Sequence, residues 1–516
     1  MLHTVSLQVL PAVAHNEFKL KQIVAEKLGT APRTIHALRI VKRSIDARSR
    51  TVKFNVEILC ACGDTKQLPQ AKLHFEKRNV THAPEVHIVG AGPAGLFAAL
   101  QLIERGLKPV IFERGKSVSE RKRDVALLNR NEEINPNSNY CFGEGGAGTF
   151  SDGKLFTRSK KKGDNRRVLE LLVLHGASPD ILIDAHPHLG SDRLPDIIVN
   201  IRNTILECGG EVHFNTTVED FEISNNRIQS LLTSLGKIDV HNVILASGHS
   251  ARDVYYRLHE RGVELQAKPC AMGVRAEHPQ EFINEVQYHK SDMEFLPAAT
   301  YSLVHQAQGR GVYSFCMCPG GIIVPSASSA EQTVVNGMSN SQRSSPFANS
   351  GVVVELRVED FADFAVHGVL AALKFQEHLE KLTYLNGGKR QIAPAQRICD
   401  FAKGRISGNV PETSYIPGVV NSPLHFWLPP AISTRLQEAF IAFDKKLRGF
   451  ASFHAEGMIV GVESRTSSPL RIPRNAETLR HERIENLYPC GEGAGYAGGI
   501  VSSAIDGMVC ALRVES

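Results

Sequence analysis

The feature that most constrains this chain is a glycine-rich turn between a strand pattern and a helix pattern. Residues 86–89 are mostly apolar and lead directly into Gly-Ala-Gly-Pro-Ala-Gly at residues 90–95. Gly90 would allow the tight turn, Gly92 would let a pyrophosphate approach the backbone, and Gly95 would let the helix pack closely on the sheet. The pattern predicts a dinucleotide-binding unit; the alternative is a plain strand–turn–helix connection.

The residues that follow the turn fit the same unit. Pro93 suits the first turn of a helix, where its missing N–H forms no hydrogen bond in any case. The free N–H groups and the positive dipole end of that helix would face the pyrophosphate. A second strand pattern at residues 110–112 ends at Glu113, about 20 residues past the glycines, where an acid binds ribose hydroxyls.

Two later segments favour FAD over NAD. Residues 242–248 form an apolar strand pattern that ends in small residues. It looks like the Ala-Thr-Gly turn of flavoproteins with two dinucleotide domains, with Ser247 in place of threonine. Residues 487–499 form a second strand pattern that continues into a glycine-rich loop and a final helix with one apolar face.

The loop at residues 487–499 carries groups that a flavin needs. The Glu492 carboxylate can accept a hydrogen bond from a ribityl hydroxyl. The helix start at Gly498 and Gly499 would offer N–H groups and a positive dipole end to the pyrimidine edge of the flavin, where negative charge develops on reduction. NAD has no group that requires such a second anchor. The alternative is a glycine loop that merely precedes a packing helix.

Four further stretches carry a resemblance to a known family. They are residues 141–155, 315–321, 336–339 and 463–469. They resemble motifs of a family of FAD-dependent dehydrogenases, and the likeness runs along the whole chain. The resemblance implies a glutathione-reductase-type FAD fold and oxidoreductase activity, without a particular substrate. Ser247 and Ser464 stand where threonine is commoner in that family, and neither change threatens cofactor binding.

The resemblance also implies roles for single residues. Those expected near the adenosine and the pyrophosphate are Arg114, Gly115 and Arg121, and those expected to border the flavin are Gly145, Gly146 and Ala147. The remaining predicted FAD-binding residues are Gly90, Gly92, Pro93, Ala94, Gly95, Glu113, Ala246, Gly248, Gly491, Glu492, Gly498, Gly499 and Ile500. The alternatives are a solvated helix face for residues 121–123 and a flexible loop for residues 143–148.

The chain of 516 residues is long enough for about three domains. We predict an α/β fold in which a Rossmann-like FAD-binding domain is split in sequence around an inserted α+β substrate or cap domain. Residues 1–75 form a strand–helix–strand–strand pattern and are expected to be a small ferredoxin-like domain. Residues 84–264 and 455–516 would form the two parts of the FAD-binding domain, and residues 265–454 the inserted domain.

Two closely spaced cysteines are the candidate catalytic residues. Cys316 and Cys318 would share one strand face just before a Pro-Gly-Gly turn, where two thiols could pass electrons or form an adduct with substrate. The alternative is that they are small residues filling a tight space. Cys60 and Cys62 have the same spacing and are expected to pack in a core. The Cys-x4-Cys pair of familiar disulfide reductases is absent.

The inserted domain should supply the substrate contacts. Arg465, Ser467 and Ser468 are the candidates that would touch flavin or substrate, and the alternative is a structural hydrogen-bonding role for their loop. A second glycine triplet followed by an acid is absent after Gly95, so a separate NAD(P)H domain is not expected. A nicotinamide could still dock transiently in the cap.

Other functions are weighed against an FAD-dependent oxidoreductase with a small-molecule substrate. A flavin-dependent RNA-modifying protein is suggested by the basic hairpin at residues 39–50 and by the basic run at residues 160–167, although the net charge is only +5. A non-catalytic flavin-bound sensor or assembly factor is a third candidate. His186 and His188 are expected to be loop histidines, and no metal site is predicted.

Sequence also bears on localisation. No apolar run approaches the ~20 residues that a membrane-spanning helix needs. The first residues do not form a secretory signal, so a cytoplasmic protein with mostly reduced thiols is expected. The oligomeric state is left open by these patterns.

Overall fold

The computed structural model describes residues 1–69, 72–157, 163–289 and 293–515. The helices are α1 (Pro11–Ala14), α2 (Glu17–Leu28), α3 (Pro93–Glu104), α4 (Val118–Asn129), α5 (Asn165–Leu174), α6 (Leu194–Glu207), α7 (Arg252–Glu260), α8 (Gln280–Tyr288), α9 (Ala371–Asn386), α10 (Ile398–Phe401), α11 (Leu424–Trp427), α12 (Pro430–Lys446) and α13 (Ile500–Arg513). The first eleven strands are β1 (Leu2–Val9), β2 (Ile35–Asp46), β3 (Lys53–Cys62), β4 (Glu85–Val89), β5 (Lys108–Phe112), β6 (Glu211–His213), β7 (Val218–Ser224), β8 (Arg227–Thr233), β9 (Gly236–Asp239), β10 (Val243–Leu245) and β11 (Gln266–Ala267). The others are β12 (Cys270–Pro279), β13 (Val304–Ala307), β14 (Arg310–Cys318), β15 (Gly321–Pro325), β16 (Val335–Ser339), β17 (Phe347–Leu356), β18 (Ala393–Arg397), β19 (Val419–Asn421), β20 (Met458–Glu463), β21 (Leu470–Arg471) and β22 (Leu487–Pro489).

A five-stranded parallel sheet joins segments from two distant parts of the chain. Its strand order is β22-β10-β4-β5-β6, and every neighbouring pair is parallel. Strands of a parallel sheet are covered on both faces, and β4, β5, β10 and β22 are accordingly almost entirely buried. The glycine turn at residues 90–95 and the loop after β22 therefore lie at the same edge of one sheet, because both follow the carboxyl ends of parallel strands.

Helices α3 and α13 cross over this sheet in close contact. At Gly507 in α13, an added Cβ would lie 2.0 Å from the backbone oxygen of Ala94 in α3. Only glycine permits two helix backbones to approach so closely. The contact fixes the amino end of α13 beside the glycine turn.

A seven-stranded sheet forms the second large layer. Its order is β13-β14-β17-β12-β20-β18-β19, antiparallel throughout except for the β18–β19 pair. Strand β20, which the sequence placed in the second part of the FAD-binding domain, pairs with β12 and β18 in this sheet. A short, fully apolar strand such as β20 is compatible with either sheet, so its sequence did not reveal this pairing. The predicted boundary at residue 455 therefore separates β20 from the sheet to which it belongs.

The first 62 residues form a three-stranded antiparallel sheet of order β1-β3-β2, with α2 packed on it. Asn16 caps α2 by accepting a hydrogen bond from the backbone N–H of Lys19. The buried residues of this sheet, among them Val5 and Ile58, belong to the same hydrophobic cluster as Met272 and Phe440 of the inserted region. This amino-terminal unit thus shares one hydrophobic core with the inserted region. Across the described ranges, no helix is long and apolar enough to cross a membrane.

Candidate functional site

A cavity of about 700 Å³ lies where the parallel sheet meets the seven-stranded sheet. This volume is within the usual range for small-molecule and cofactor sites. Of the predicted FAD-binding residues, those that line it are Gly90, Gly92, Pro93, Ala94, Glu113, Arg114, Gly146, Ala147, Ala246, Gly248, Glu492, Gly498, Gly499 and Ile500. The cavity is also lined by residues of the inserted region and of the loop after β20, including Tyr301, Cys316, Asn336 and Arg465.

The other predicted FAD-binding residues do not line the cavity. They are Gly95, Gly115, Arg121, Gly145 and Gly491. A Cβ at Gly95 would lie 2.0 Å from the backbone oxygen of Gly90, so the helix could not sit on the turn with any other residue there. A Cβ at Gly115 would lie 2.5 Å from the Cα of Gly143. Both glycines therefore keep backbone segments in contact, as Gly95 was expected to do.

Glu113 holds three backbone segments together at the edge of the cavity. Its Oε2 accepts a hydrogen bond from the Ala91 N–H at 2.9 Å, and its Oε1 accepts from the N–H groups of Gly115 and Gly143 at 2.9 and 3.0 Å. A carboxylate oxygen has two lone pairs, so Oε2 retains acceptor capacity for a ribose hydroxyl. The residue thus organises the turn, a task that its position in the sequence did not indicate.

Arg121 was expected beside the adenosine and the pyrophosphate, and the structure instead buries it completely beneath the loop that follows α4. Its guanidinium donates to the backbone oxygens of Asn139, Tyr140 and Glu144 at 2.8 to 3.0 Å. The alternative of a solvated helix face is wrong for this residue as well, although Lys122 is exposed. Arg121 therefore supports the glycine-rich loop at residues 143–148 from inside the protein.

The amino end of α13 opens on the cavity without a side-chain cap. Its N-cap residue is Gly499, which forms no capping hydrogen bond, and residues 498–503 all line the cavity. The Gly498 N–H, which was expected to face the flavin, donates to the Ser502 hydroxyl at 3.2 Å. The N–H groups of the first helical turn and the positive end of the helix dipole face the cavity. Glu492 lies nearby, with its Oε1 3.7 Å from the Nδ1 of His249.

The donors and shape of this cavity fit FAD. A Cβ added at Gly248, Gly498 or Gly499 would meet no atom within 4 Å, so the space in front of these three glycines is open. The N-cap of α3, Gly92, also lacks a side-chain cap. Two uncapped helix starts suit an anionic pyrophosphate and an electron-accepting ring, respectively.

The two candidate catalytic cysteines lie at an irregularity of β14. The register between β14 and β17 shifts between Phe315 and Cys318, and Cys316 has a φ of 46°. The expectation of two equivalent positions on one regular strand face is therefore wrong. Cys316 lines the cavity and Cys318 is fully buried.

Both sulfurs nevertheless meet one lysine. The Nζ of Lys154 lies 3.8 Å from the Sγ of Cys316 and 3.7 Å from the Sγ of Cys318. A hydrogen bond with Cys318, helped by the charges of Lys154 and Arg275, holds the pKa of Cys316 well below its ordinary value. The same hydrogen bond, together with burial, raises the pKa of Cys318 well above its ordinary value. The pair thus favours a thiolate on Cys316 and a thiol on Cys318.

Sequence reasoning missed the charged residues around this pair. Lys154 and Asp152 form an ion pair of 3.2 Å on the cavity wall, and Arg275 and Glu463 form one of 2.7 Å behind it. Burial raises the pKa of Glu463 to about 7 in spite of Arg275. One of these residues could have been found from the sequence, because Arg275 lies in the middle of the buried strand β12. Charged residues are almost never fully buried without a partner, so an ion pair could have been predicted there.

Of the three predicted cap residues, Arg465 alone lines the cavity. Its guanidinium is held by Glu380, with Nη2 at 3.0 Å from Oε2, and its Nη1 donates to Ser328 at 2.9 Å. The Ser468 hydroxyl is buried and donates to the Leu470 backbone oxygen at 2.7 Å. Ser467 lies outside the cavity lining. Ser468 therefore has the structural hydrogen-bonding role that the sequence offered as the alternative for this loop.

Comparison with known proteins agrees with the cofactor that the site fits. Residues 269–466 match a family described as FAD-dependent protein, C-terminal domain-like, and residues 1–61 match a domain of unknown function. FAD is the cofactor of this chain. The first of these matches includes β20, in agreement with its place in the seven-stranded sheet.

Solved structures and one partial relative add little. A glycine oxidase from Geobacillus kaustophilus has a TM-score of 0.33 at 12% identity, covering 84% of this chain and 93% of its own. An L-proline dehydrogenase from P. horikoshii has a TM-score of 0.31 at 12% identity, covering 83% and 92%. A dual trans-enoyl reductase/FAD-dependent monooxygenase from Aspergillus terreus is 44% identical over 54 residues, 10% of this chain and 7% of the relative.

One relative matches nearly the whole chain. It is an uncharacterized protein of Clostridium beijerinckii, 39% identical over 519 residues, which cover 96% of this chain and 95% of the relative. Identity at this level over nearly all of both chains requires a shared fold. The chain therefore belongs to the same protein family as the Clostridium beijerinckii protein.

Proposed function

We propose that this protein is an FAD-dependent oxidoreductase that transfers hydride between bound FAD and an organic substrate or a nicotinamide. One observation carries the proposal: a single cavity is lined by the glycine turn at residues 90–94, by the uncapped start of α13 and by a polar wall from the inserted region. The first two features suit a dinucleotide. The third suits a substrate, because Cys316 and Asn336 lie on it and Lys154, which comes from residues 84–264, lines the cavity beside Cys316.

The FAD-binding domain would be a split Rossmann-type unit. Residues 84–264 and the chain after β20 would form it, and the inserted region would act as the cap. Gly92 and the start of α3 would hold the pyrophosphate, Glu113 and Arg114 the adenosine, and Glu492 the ribityl chain. The start of α13 would lie at the flavin, where its dipole would stabilise the negative charge of the reduced state.

FAD supplies the hydride chemistry when bound. The chain would supply positioning and electrostatics. Burial lowers the pKa of Lys154, but the negative charge of the cysteine pair and of Asp152 outweighs this effect and raises the pKa. The Lys154 ammonium would therefore remain charged and bind an anionic or carbonyl oxygen of the substrate. The cap would hold the reacting carbon near the flavin and exclude water.

Two of the five basic residues of the amino-terminal hairpin are paired within the chain, which weakens the RNA-modifying alternative. Arg43 is paired with Asp184 at 2.7 Å and Arg48 with Asp46 at 2.6 Å, so these charges are compensated within the chain. The lysines at positions 160–162 lie outside the described residues. A small-molecule substrate and a cytoplasmic location remain our proposals.

The test is an anaerobic reduction screen. The purified holoprotein is mixed with NADH, with NADPH and with a panel of metabolites, and the visible absorption of oxidised flavin is followed. We expect at least one donor to bleach this band faster than it bleaches free FAD, because the cavity would orient donor and flavin. A holoprotein that no donor reduces, and whose chemically reduced form reacts with oxygen alone, would favour a flavin-bound sensor instead.

A further inference from the structure

The arrangement of Cys316 and Cys318 goes beyond what substrate binding requires. Their sulfurs lie within 3.8 and 3.7 Å of the same ammonium group, Lys154 Nζ. The Cys318 Sγ also donates to the Cys316 backbone oxygen at 3.3 Å. The bulge in β14 and the left-handed φ of Cys316 bring together two side chains that a regular strand would hold at successive positions of one face.

The two thiols differ in accessibility in the way that an exchanging pair requires. Cys316 is half-buried and lines the cavity, whereas Cys318 is 0% exposed. Thiol–disulfide chemistry begins with an accessible thiolate and is completed by a neighbouring thiol. Cys316 is placed for the first task and Cys318 for the second.

The surroundings stabilise negative charge on the pair. Arg275 is completely buried; its Nη2 donates to the Cys316 backbone oxygen at 2.7 Å and to the Cys318 Sγ at 3.5 Å. Lys154 adds a second cation. Positive groups beside a thiol favour its thiolate and thereby its reactivity.

A buried acceptor beside the pair points to a ligand or a mobile proton. Asp152 lines the cavity, is 1% exposed and is paired through its Oδ2 with Lys154 and Arg343. Its Oδ1 has no hydrogen-bond partner among the residues that the structure describes. A buried polar atom without a partner is costly, so we expect a group entering the cavity to bind this oxygen.

The chain contains a second cysteine pair of the same spacing that lacks these features. Cys60 and Cys62 lie on the regular strand β3, with their sulfurs 3.9 Å apart. Burial raises the pKa of Cys60 to about 11, and neither residue lines the cavity. Spacing alone is therefore not what distinguishes Cys316 and Cys318, and the amino-terminal pair is a natural control.

We propose that Cys316 and Cys318 are a redox-active dithiol that exchanges two electrons with the bound FAD. In the oxidising direction, the Cys318 S–H bond breaks and one S–S bond forms between the Cys316 thiolate sulfur and the Cys318 sulfur. The two electrons and the Cys318 proton pass to oxidised FAD, which becomes the anionic form of reduced FAD. The inference rests on the proposed function and deepens it, since a couple that opens on the cavity through Cys316 suits a disulfide or dithiol substrate.

The test counts electrons in the holoprotein. The protein is first oxidised with excess oxidised glutathione, freed of it, and titrated anaerobically with dithionite. We expect the wild-type chain and the control C60S/C62S to consume about four electrons per FAD, two for the flavin and two for the disulfide. The variant C316S/C318S should consume about two electrons per FAD. Wild-type protein that consumes only two overturns the proposal.

A second measurement does not depend on the variant's folding. After oxidation, free thiols in the wild-type chain are blocked and the peptide that contains both cysteines is weighed. An unblocked peptide lighter by two hydrogens supports the disulfide, and a doubly blocked peptide contradicts it. The proposed oxidoreductase function has a different test. It is refuted if no donor reduces the bound FAD in the anaerobic screen, whichever number of electrons the dithionite titration gives.

Discussion

Replacing Glu380 with alanine is expected to destabilise the folded chain by about 3–5 kcal/mol, because it leaves two buried arginines without a counter-ion. Glu380 in α9 is 0% exposed. Its Oε1 lies 2.7 Å from the Nη2 of Arg252, and its Oε2 lies 3.0 Å from the Nη2 of Arg465. Through these two ion pairs, α9 links α7, which packs against β7, to the loop after β20. The Glu380 carboxylate thus stabilises the folded chain and also holds Arg465, which lines the cavity.

Denaturant unfolding at neutral pH measures this loss. Glu260 provides a matched control, because its carboxylate is 58% exposed and its ion pair with Arg257 lies within one helix. Exposed pairs of this kind contribute little, so E260A should unfold close to the wild-type midpoint. If E380A and E260A unfold at the same midpoint, the buried cluster does not have the role assigned to it.

The same carboxylate gives stability a defined pH dependence. Burial alone would raise the pKa of Glu380, but Arg252 and Arg465 outweigh it and lower the pKa to about 2. A group with a lowered folded pKa contributes its stability above the unfolded value, about 4.3, and loses it as pH falls towards the folded value. We expect the wild-type free energy of unfolding to fall more steeply than that of E380A between about pH 4.3 and 2.

Replacing Gly92 with alanine is expected to weaken FAD binding by about tenfold to hundredfold, roughly 1.4–2.8 kcal/mol, without unfolding the chain. Gly92 has a φ of −76° and a ψ of −176°, which alanine adopts without strain. A Cβ there would meet only the Gly146 Cα, at 3.9 Å, and would otherwise point at the space assigned to the pyrophosphate. The methyl group would therefore obstruct the cofactor and leave the protein packing intact.

Fluorescence titration of the apoprotein with FAD measures this effect, with thermal unfolding of the apoprotein as the check on folding. Gly408 is the matched control, since it is exposed, lies away from the cavity, and a Cβ there would meet nothing within 4 Å. G408A should bind FAD as the wild type does. Equal affinities of G92A and wild type would show that the pyrophosphate does not approach this turn.

The parts of the site that could be predicted from sequence are those set by local backbone geometry. A strand, three glycines and a helix start are contiguous at residues 86–95, so their steric requirements appear in one short stretch. The glycine-rich loop after β22 could be predicted for the same reason, because its strand, its glycines and the helix start are also contiguous. The cavity lining includes most of these positions.

The parts that could not be predicted depend on contacts between distant segments. Lys154 meets Cys316 only after β14 has folded against the loop that follows α4, and no local pattern indicates that pairing. Arg121 has the spacing of a surface helix residue, and its burial follows from the loop at residues 139–149 that wraps around it. The fully apolar β20 carries no periodicity that would assign it to one sheet rather than the other.

The central claim is that the glycine turn at residues 90–95 and the start of α13 hold one FAD between them. The most direct test is the number of FAD molecules bound per chain when folded apoprotein is titrated to saturation. We predict one FAD per chain, with the flavin spectrum shifted from that of free FAD. Folded apoprotein that stays colourless after incubation with excess FAD and removal of the unbound cofactor would contradict the claim.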